Sequence, residues 1–244
     1  MNMKKNLKTV VKNLGDSYFW PASQKELYGL ISEYPGSNKE DILSIIKSYQ
    51  GQGWYKRLCV LQDDGELAGL IDWASKQQPK VVMEIGTAQG GTLLAWCRIA
   101  KELVISVDLE DGIHGGGYFP QKQRLYKELA TGRDGVRVEL IQDDSQKDET
   151  RKQVEKILAG RKIDILFIDG DHRLEGVTRD FELWSPLVKP GGHVVFHDII
   201  PHRTIPSCQV DRLWNQLRDK YPSQEIVTDY DQGWAGIGIL TLPE

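Results

Sequence analysis

The run VVMEIGTAQGGTLLAW, residues 81–96, decides the fold. Val81, Val82 and Met83 lead into Glu84 and Ile85, a short apolar run of strand type. Gly86, Gly90 and Gly91 then mark a turn, and the apolar residues that follow, Leu93, Leu94, Ala95 and Trp96, read as a helix. A strand, a glycine turn and a helix in this order is how nucleotide phosphate sites begin. The question is which nucleotide such a turn holds, and for what chemistry.

Downstream the same alternation recurs. LVISVD, VRVELIQ, IDILFID and HVVFHD read as strands, and QKQRLYKELA, QKDETRKQVEKILAG and LEGVTRDFELWSPLV as the helices between them. Strand, helix, strand repeated this often predicts an α/β fold, a Rossmann-like doubly wound parallel sheet with helices on both faces. After Asp198 come one helix, VDRLWNQLRDKY, and two short strands, EIVT and GIGIL. The DQGW turn signal between them predicts a terminal antiparallel hairpin.

Upstream, residues 1–60 carry no strand pattern and are expected to form a helical N-terminal extension, with the sheet domain over 61–244. SQKELYGLISEY and SNKEDILSIIKSY each open on a serine with a glutamate three positions on, at Ser23 and Ser37, the capping-box spacing. DGELAGLIDWASKQ reads as a third helix with Leu67, Leu70, Ile71 and Ala74 on one face. QGQGWYKRLCVLQ is a connector.

Composition narrows the class. A chain of 244 residues, 40% hydrophobic and 27% charged with net charge -4, has no basic footprint for nucleic acid. No window approaches a membrane span, and the basic start MNMKKNLKTVVKNLG lacks a signal-peptide core, so its lysines at 4, 5, 8 and 12 read as a solvated helix face. Three widely spaced cysteines, Cys59, Cys97 and Cys208, argue against a disulfide framework or a zinc knuckle and for a reduced, cytoplasmic setting.

Two readings compete for EIGTAQGG. As a dinucleotide turn, Gly86-x-Ala88-x-x-Gly91 has the right spacing, but alanine replaces the middle glycine, which exists to let a pyrophosphate approach bare backbone. The second pattern is Glu84-x-Gly86-x-x-x-Gly90, which resembles the first motif of class I S-adenosylmethionine-dependent methyltransferases. That cofactor has no pyrophosphate, so the turn tolerates Ala88. Asp108, 22 residues after Gly86, suits a ribose in either case.

MEIGTAQGGT, DGIHGGGYFP, DDSQKDET, FIDGDHRLEGVTRDFELWSPLVKPGGHVVFHDI and WAGIGIL, in this order, resemble the small-molecule methyltransferases of methyltransferase family 24 and the neighbouring cephalosporin-hydroxylase and sugar O-methyltransferase groups. The resemblance covers about residues 60–242, and FIDGDH joined to PGGHVVFHD is its most specific part. It implies a seven-stranded sheet, six strands parallel and the last antiparallel. It also implies S-adenosylmethionine as cofactor, with Glu84, Gly86, Thr87 and Gly90 around the methionine end. Asp108 would then hold the ribose, Asp144 and Ser145 would lie near the adenine, and Asp169 would stand at the cofactor edge. The implied reaction is O-methylation of a small-molecule acceptor, a sugar or natural product.

Asp169, Asp171, His172, His197, Asp198 and His202 lie in or just after two strand ends. In the metal-dependent O-methyltransferases that this chain resembles, acids matching Asp169 and Asp198 bind magnesium. His197, the first member of the second pair, departs from that pattern, because imidazole is a poor magnesium ligand. The expected metal set is Asp169, Asp198 and His197, holding magnesium or manganese, and the imidazole leaves a shift toward iron or zinc open. Such a metal acts as template and Lewis acid, and His172 or His197 is placed to take the hydroxyl proton. Other readings stay open at this point. Asp169 or Asp171 could cap the next helix, and His197 could be a satisfied histidine at a strand end. His114 and His202 read as loop residues. The stretch GIHGGGYFP is a lid or a long turn, and Trp54, Tyr55, Tyr118, Phe119 and Trp234 are pocket or packing aromatics. Tyr118-x-x-x-Lys122 copies a dehydrogenase pair, but Pro120 inside it makes that role a poor fit. An NAD-dependent oxidoreductase and a metal-dependent hydroxylase or hydrolase remain as alternatives. A homo-oligomer is open too, since the extension is free to cover the site or to pair with another subunit.

Overall fold

The computed structural model describes residues 2–56, 58–110 and 116–244, with side chains from Asp16 onward. His114, the start of the glycine-rich stretch around it and the side chains of the early lysines lie outside the described residues.

Helices α1 (Asn2–Glu33) and α2 (Lys39–Ser48) lead through a short turn of 3-10 helix to α3 (Asp64–Gln77). The alternating part then runs β1 (Val81–Ile85), α4 (Gly91–Ile99), β2 (Leu103–Asp108), α5 (Pro120–Lys127), β3 (Arg137–Gln142), α6 (Asp148–Leu158), β4 (Ile163–Ile168), α7 (Leu174–Trp184) and β5 (Val188–His197). Helix α8 (Val210–Leu217) and strands β6 (Ser223–Ile226) and β7 (Ile237–Thr241) close the chain. The strand order is β3-β2-β1-β4-β5-β7-β6. Neighbours from β3 to β5 pair in parallel, and β7 runs against both β5 and β6. Six strands thus share one direction and β7 opposes them, as the resemblance implies.

The period of two along each strand divides the core. Val82, Val104, Phe167 and Val195 pack on one side with Leu93 and Trp96 of α4 and with Leu27, Ile42 and Ile45 of the N-terminal helices. Met83, Ile105, Leu166 and Phe196 pack on the other with Val154, Trp184 and Trp214. The N-terminal helices therefore share a core with the sheet. The chain steps outward from β1 to β3 and returns on the other side of β1 as β4, so the topological switch lies between β1 and β4. Ligands of such sheets sit beyond the strand ends there.

Two expected helix starts differ from what is found. Ser23 caps nothing: α1 continues through Pro21, and the buried Ser23 hydroxyl accepts the Gln52 N–H at 2.9 Å. Burial of Trp20, Leu27 and Ile31 along one face outweighs the single hydrogen bond that Pro21 removes. Helix α2 is capped by Asn38, whose side chain accepts the Asp41 N–H at 2.9 Å, one residue later than the Ser37 spacing implies. Among the described residues no helix is long and apolar enough to cross a membrane.

Candidate active site

The turn after β1 is built on left-handed backbone. Gly86 has φ 86° and Gly90 φ 78°, conformations that glycine adopts without steric cost. A Cβ on Gly86 would stand 2.0 Å from the Asp169 carbonyl oxygen, so this glycine is required by the neighbouring strand end itself. Ala88 also lies in the left-handed region at φ 44°, and its carbonyl accepts the Lys122 ammonium. Lys122 and Tyr118 thus serve the turn rather than each other: the Tyr118 hydroxyl bonds to the Thr87 hydroxyl.

Glu84 is completely buried on β1, one carboxylate oxygen accepting the Ser106 hydroxyl at 2.7 Å and the other, Oε1, without a partner. Ser106 in turn meets Thr87, so Glu84, Ser106, Thr87 and Tyr118 form one buried polar chain. Burial pushes the Glu84 carboxyl up to about 8 against the hydrogen bonds of Ser106 and Thr87. At the end of β2, Asp108 accepts the N–H groups of Leu109 at 3.0 Å and Gly117 at 3.1 Å. Burial raises its pKa, and these backbone donors pull it back down.

After β3, the Asp144 side chain accepts the Gln146 N–H at 2.9 Å and shapes the loop. The Ser145 hydroxyl points inward, to Asp180 Oδ1 of α7 at 2.7 Å. Asp180 is fully buried with Oδ2 unpartnered, and burial pushes its carboxyl up to about 7. A folded-state pKa above the unfolded value of 3.8 contributes stability that is present below that value and lost as pH rises through about 7. Asn at this position never ionises. The Tm difference between Asp180→Asn and the parent is therefore expected to grow in the variant's favour by on the order of 5 °C between pH 5 and pH 8, read by calorimetry.

The ends of β4 and β5 carry the densest chemistry. Asp169 Oδ1 meets His172 Nε2 at 3.2 Å and His197 Nδ1 at 3.1 Å. His172 Nδ1 meets Asp198 Oδ2 at 2.9 Å. Burial opposes charge on Asp169, but the two imidazoles hold its carboxyl well below the usual range. Burial opposes charge on His172 and His197 as well, and the carboxylates around them nevertheless raise both. Asp198 has φ 63°, and its Oδ1 accepts the Ala235 N–H at 2.9 Å. Of the expected metal set, His197 Nδ1 lies 3.1 Å from Asp169 and 3.6 Å from Asp198. Asp171 turns away to Arg173 and its backbone N–H, the role of a turn residue. His202 accepts the Ile205 N–H within its own loop.

The family profile of methyltransferase family 24, described as a methyltransferase domain, matches residues 83–199. Over that stretch the chain is similar to a methyltransferase domain. The fold is also that of an O-methyltransferase from Bacillus cereus in complex with S-adenosylhomocysteine, at TM-score 0.53 and 18% identity over 84% of this chain and 90% of that one. It is similar too to a putative O-methyltransferase from Klebsiella pneumoniae, at TM-score 0.51 and 18% identity over 77% of this chain and 83% of that one. The uncharacterized protein R132 of Acanthamoeba polyphaga mimivirus is 50% identical over 44 residues, 18% of this chain. The uncharacterized protein y4gI of Sinorhizobium fredii is 25% identical over 127 residues, 50% of this chain. These matches span 20% and 13% of the two curated relatives.

Several residues of the site carry no sequence signal. Gln62, from the connector before α3, reaches Asp169 Oδ2 at 3.4 Å, and its own buried Oε1 has no partner. Glu66 of α3 accepts the N–H groups of Thr228 and Gly236 and the Gln232 amide, fastening the β6–β7 connection beside Asp198. Cys208 lies buried with Sγ 3.6 Å from Asp198 Oδ2 and 3.9 Å from His172 Nδ1. Of the aromatics, Tyr55 and Tyr118 are core, whereas Trp54, Phe119 and Trp234 keep exposed faces.

Proposed function

We propose that the chain transfers a methyl group from S-adenosylmethionine to a hydroxyl of a small molecule. The observation that carries this reading is Asp108. Its carboxylate is fixed at the end of β2 by the N–H groups of Leu109 and Gly117, with the Ala88 N–H beside it, and acceptor capacity remains for ribose hydroxyls. The unpartnered Glu84 Oε1 supports it, because a buried acceptor next to the turn matches the ammonium of the methionine end. When bound, the cofactor supplies a methyl carbon already activated by its sulfonium. The work of this chain is then to hold, to align and to accept a proton. Asp144 orders the loop expected beside the adenine, and Ser145 is held in place by Asp180.

Proton removal falls to the cluster beyond β4 and β5. Both ring nitrogens of His172 face carboxylates, and the free Nε2 of His197 is sealed from solvent. Of the two, His172 has the more exposed ring, so an acceptor hydroxyl meets it first once one of its carboxylate bonds opens. The Glu66-fastened loop presents Trp234 with an exposed face, which suits the apolar side of a small acceptor. A cytoplasmic setting fits both the cofactor and three unpaired cysteines.

The test is incubation with methyl-labelled S-adenosylmethionine and a small-molecule extract, followed by mass spectrometry. Label is expected in low-molecular-weight methyl ethers. Label only in protein or nucleic acid would contradict a small-molecule acceptor.

A further inference from the structure

Magnesium or manganese is the metal expected for a site of this family, and both prefer oxygen donors. The donors found here are different. Among the described residues one set of three could hold an ion: His172, Asp198 and Cys208, whose ligand atoms all lie within 4.8 Å of one another. We infer that these three side chains form a binding site for a borderline-soft divalent cation, zinc or iron(II).

Geometry supports the inference. A tetrahedral zinc, with bonds of ~2.0–2.1 Å to nitrogen and oxygen and ~2.3 Å to sulfur, sets nitrogen–oxygen edges at about 3.4 Å and edges to sulfur at about 3.6 Å. The corresponding distances are 2.9 Å from His172 Nδ1 to Asp198 Oδ2, 3.6 Å from Asp198 Oδ2 to Cys208 Sγ and 3.9 Å from Cys208 Sγ to His172 Nδ1. Each differs from its ideal edge by about half an ångström or less, within reach of small side-chain rotations.

The surroundings orient the donors as metal sites do. His172 Nε2 faces the Asp169 carboxylate at 3.2 Å, which fixes the ring and presents Nδ1 to the site, the carboxylate–histidine–metal arrangement. Asp198 Oδ1 is held by the Ala235 N–H at 2.9 Å, so Oδ2 is the oxygen left for an ion. The left-handed backbone of Asp198, at φ 63°, is a strained conformation of the sort found at functional sites. The Gln209 N–H bonds to the His172 carbonyl at 2.7 Å, tying the segment that carries Cys208 to the loop that carries His172. Three protein donors leave a fourth position, the arrangement of catalytic rather than structural zinc. His197 is not needed as a ligand. An ion on His172 Nδ1 withdraws that ring from proton removal and leaves the step to His197, so the site revises that part of the methyl-transfer reading without depending on the rest.

The experiment uses the full-length chain, stripped with a chelator and titrated with zinc, cobalt(II) and magnesium. One zinc per chain is expected, undisturbed by excess magnesium. Cobalt is expected to give the visible ligand-field bands of a tetrahedral site and a near-ultraviolet thiolate-to-cobalt charge-transfer band. Cys208→Ser should abolish that band and weaken zinc at least ~10-fold, and Asp169→Asn, which takes the charge from the partner of His172 without removing a ligand, should weaken it ~10-fold while keeping the band. Cys59→Ser, at the exposed cysteine, should change neither. Near-ultraviolet circular dichroism checks that each variant is folded. If Cys208→Ser does not fold, the wild-type and Cys59→Ser spectra decide. Absence of the band in wild type, its loss in Cys59→Ser, its survival in folded Cys208→Ser, or binding of magnesium in place of zinc would each overturn the site. S-adenosylhomocysteine binding, measured on the same stripped protein, reports on the methyltransferase reading separately.

Discussion

An Asp108→Ala variant is expected to bind S-adenosylhomocysteine at least ~100-fold more weakly than the parent, because two charge-assisted hydrogen bonds to ribose hydroxyls, each of order 1.5–3 kcal/mol, are lost together. The same change leaves the Leu109 and Gly117 N–H groups without their acceptor, so a lower Tm is expected as well, with cooperative unfolding retained. Asp108→Asn separates the two effects. It keeps an acceptor for one backbone donor and the shape of the side chain, so it should lower Tm less than Asp108→Ala while still losing most of the affinity. Calorimetric titration and thermal unfolding of the two variants read both quantities. A folded variant with parental affinity would remove Asp108 from the cofactor site.

A second large effect is expected at Gly86. Gly86→Ala places a methyl 2.0 Å from the Asp169 carbonyl oxygen and imposes a left-handed φ of 86° on a residue with a side chain. The backbone conformation costs about 1–2 kcal/mol and the overpacking about 1–3 kcal/mol. For a chain of this length that lowers Tm by roughly 5–15 °C. Gly160 is the control: it has φ 84° with nothing within 4 Å of an added Cβ, so Gly160→Ala carries only the conformational cost. Equal losses of Tm in the two variants would show that contact with the end of β4 does not matter. Since Gly86 sits against Asp169, its substitution should also loosen the acid–histidine cluster, which the Gly160 change leaves alone.

The sheet was legible because its signal is local and periodic. Each of the runs around Val82, Val104, Val138, Leu166 and Val195 alternates or stays apolar for the length of one strand, and the glycine turn after β1 points to the switch point. The places of the acids proposed for the cofactor were legible for the same reason: Glu84, Asp108, Asp144 and Asp169 stand at or just beyond strand ends, where such folds bind ligands. What could not be read depends on long-range packing. Ser23 has the spacing of a cap, yet the buried face of α1 carries the helix through Pro21 and past it. Cys208 looks like an isolated cysteine and reaches His172, 36 residues away, only because the segment before α8 folds back over β5. Gln62 comes from a connector without any motif and meets Asp169 across 107 residues. The roles of Ser145 and Thr87 were obscured in another way. Their hydroxyls turn to Asp180 and to Ser106 and Tyr118, partners that lie on other elements and that spacing along the chain does not reveal.

The central claim is that the turn after β1 holds S-adenosylmethionine rather than a dinucleotide. The most direct measurement is isothermal titration calorimetry of the chain with S-adenosylhomocysteine, with NAD as the control, each with and without added magnesium or zinc. Micromolar binding of S-adenosylhomocysteine with no heat from NAD is the expected result. Binding of NAD alone would contradict it and would mean that Ala88, with its carbonyl turned to Lys122, admits a pyrophosphate after all.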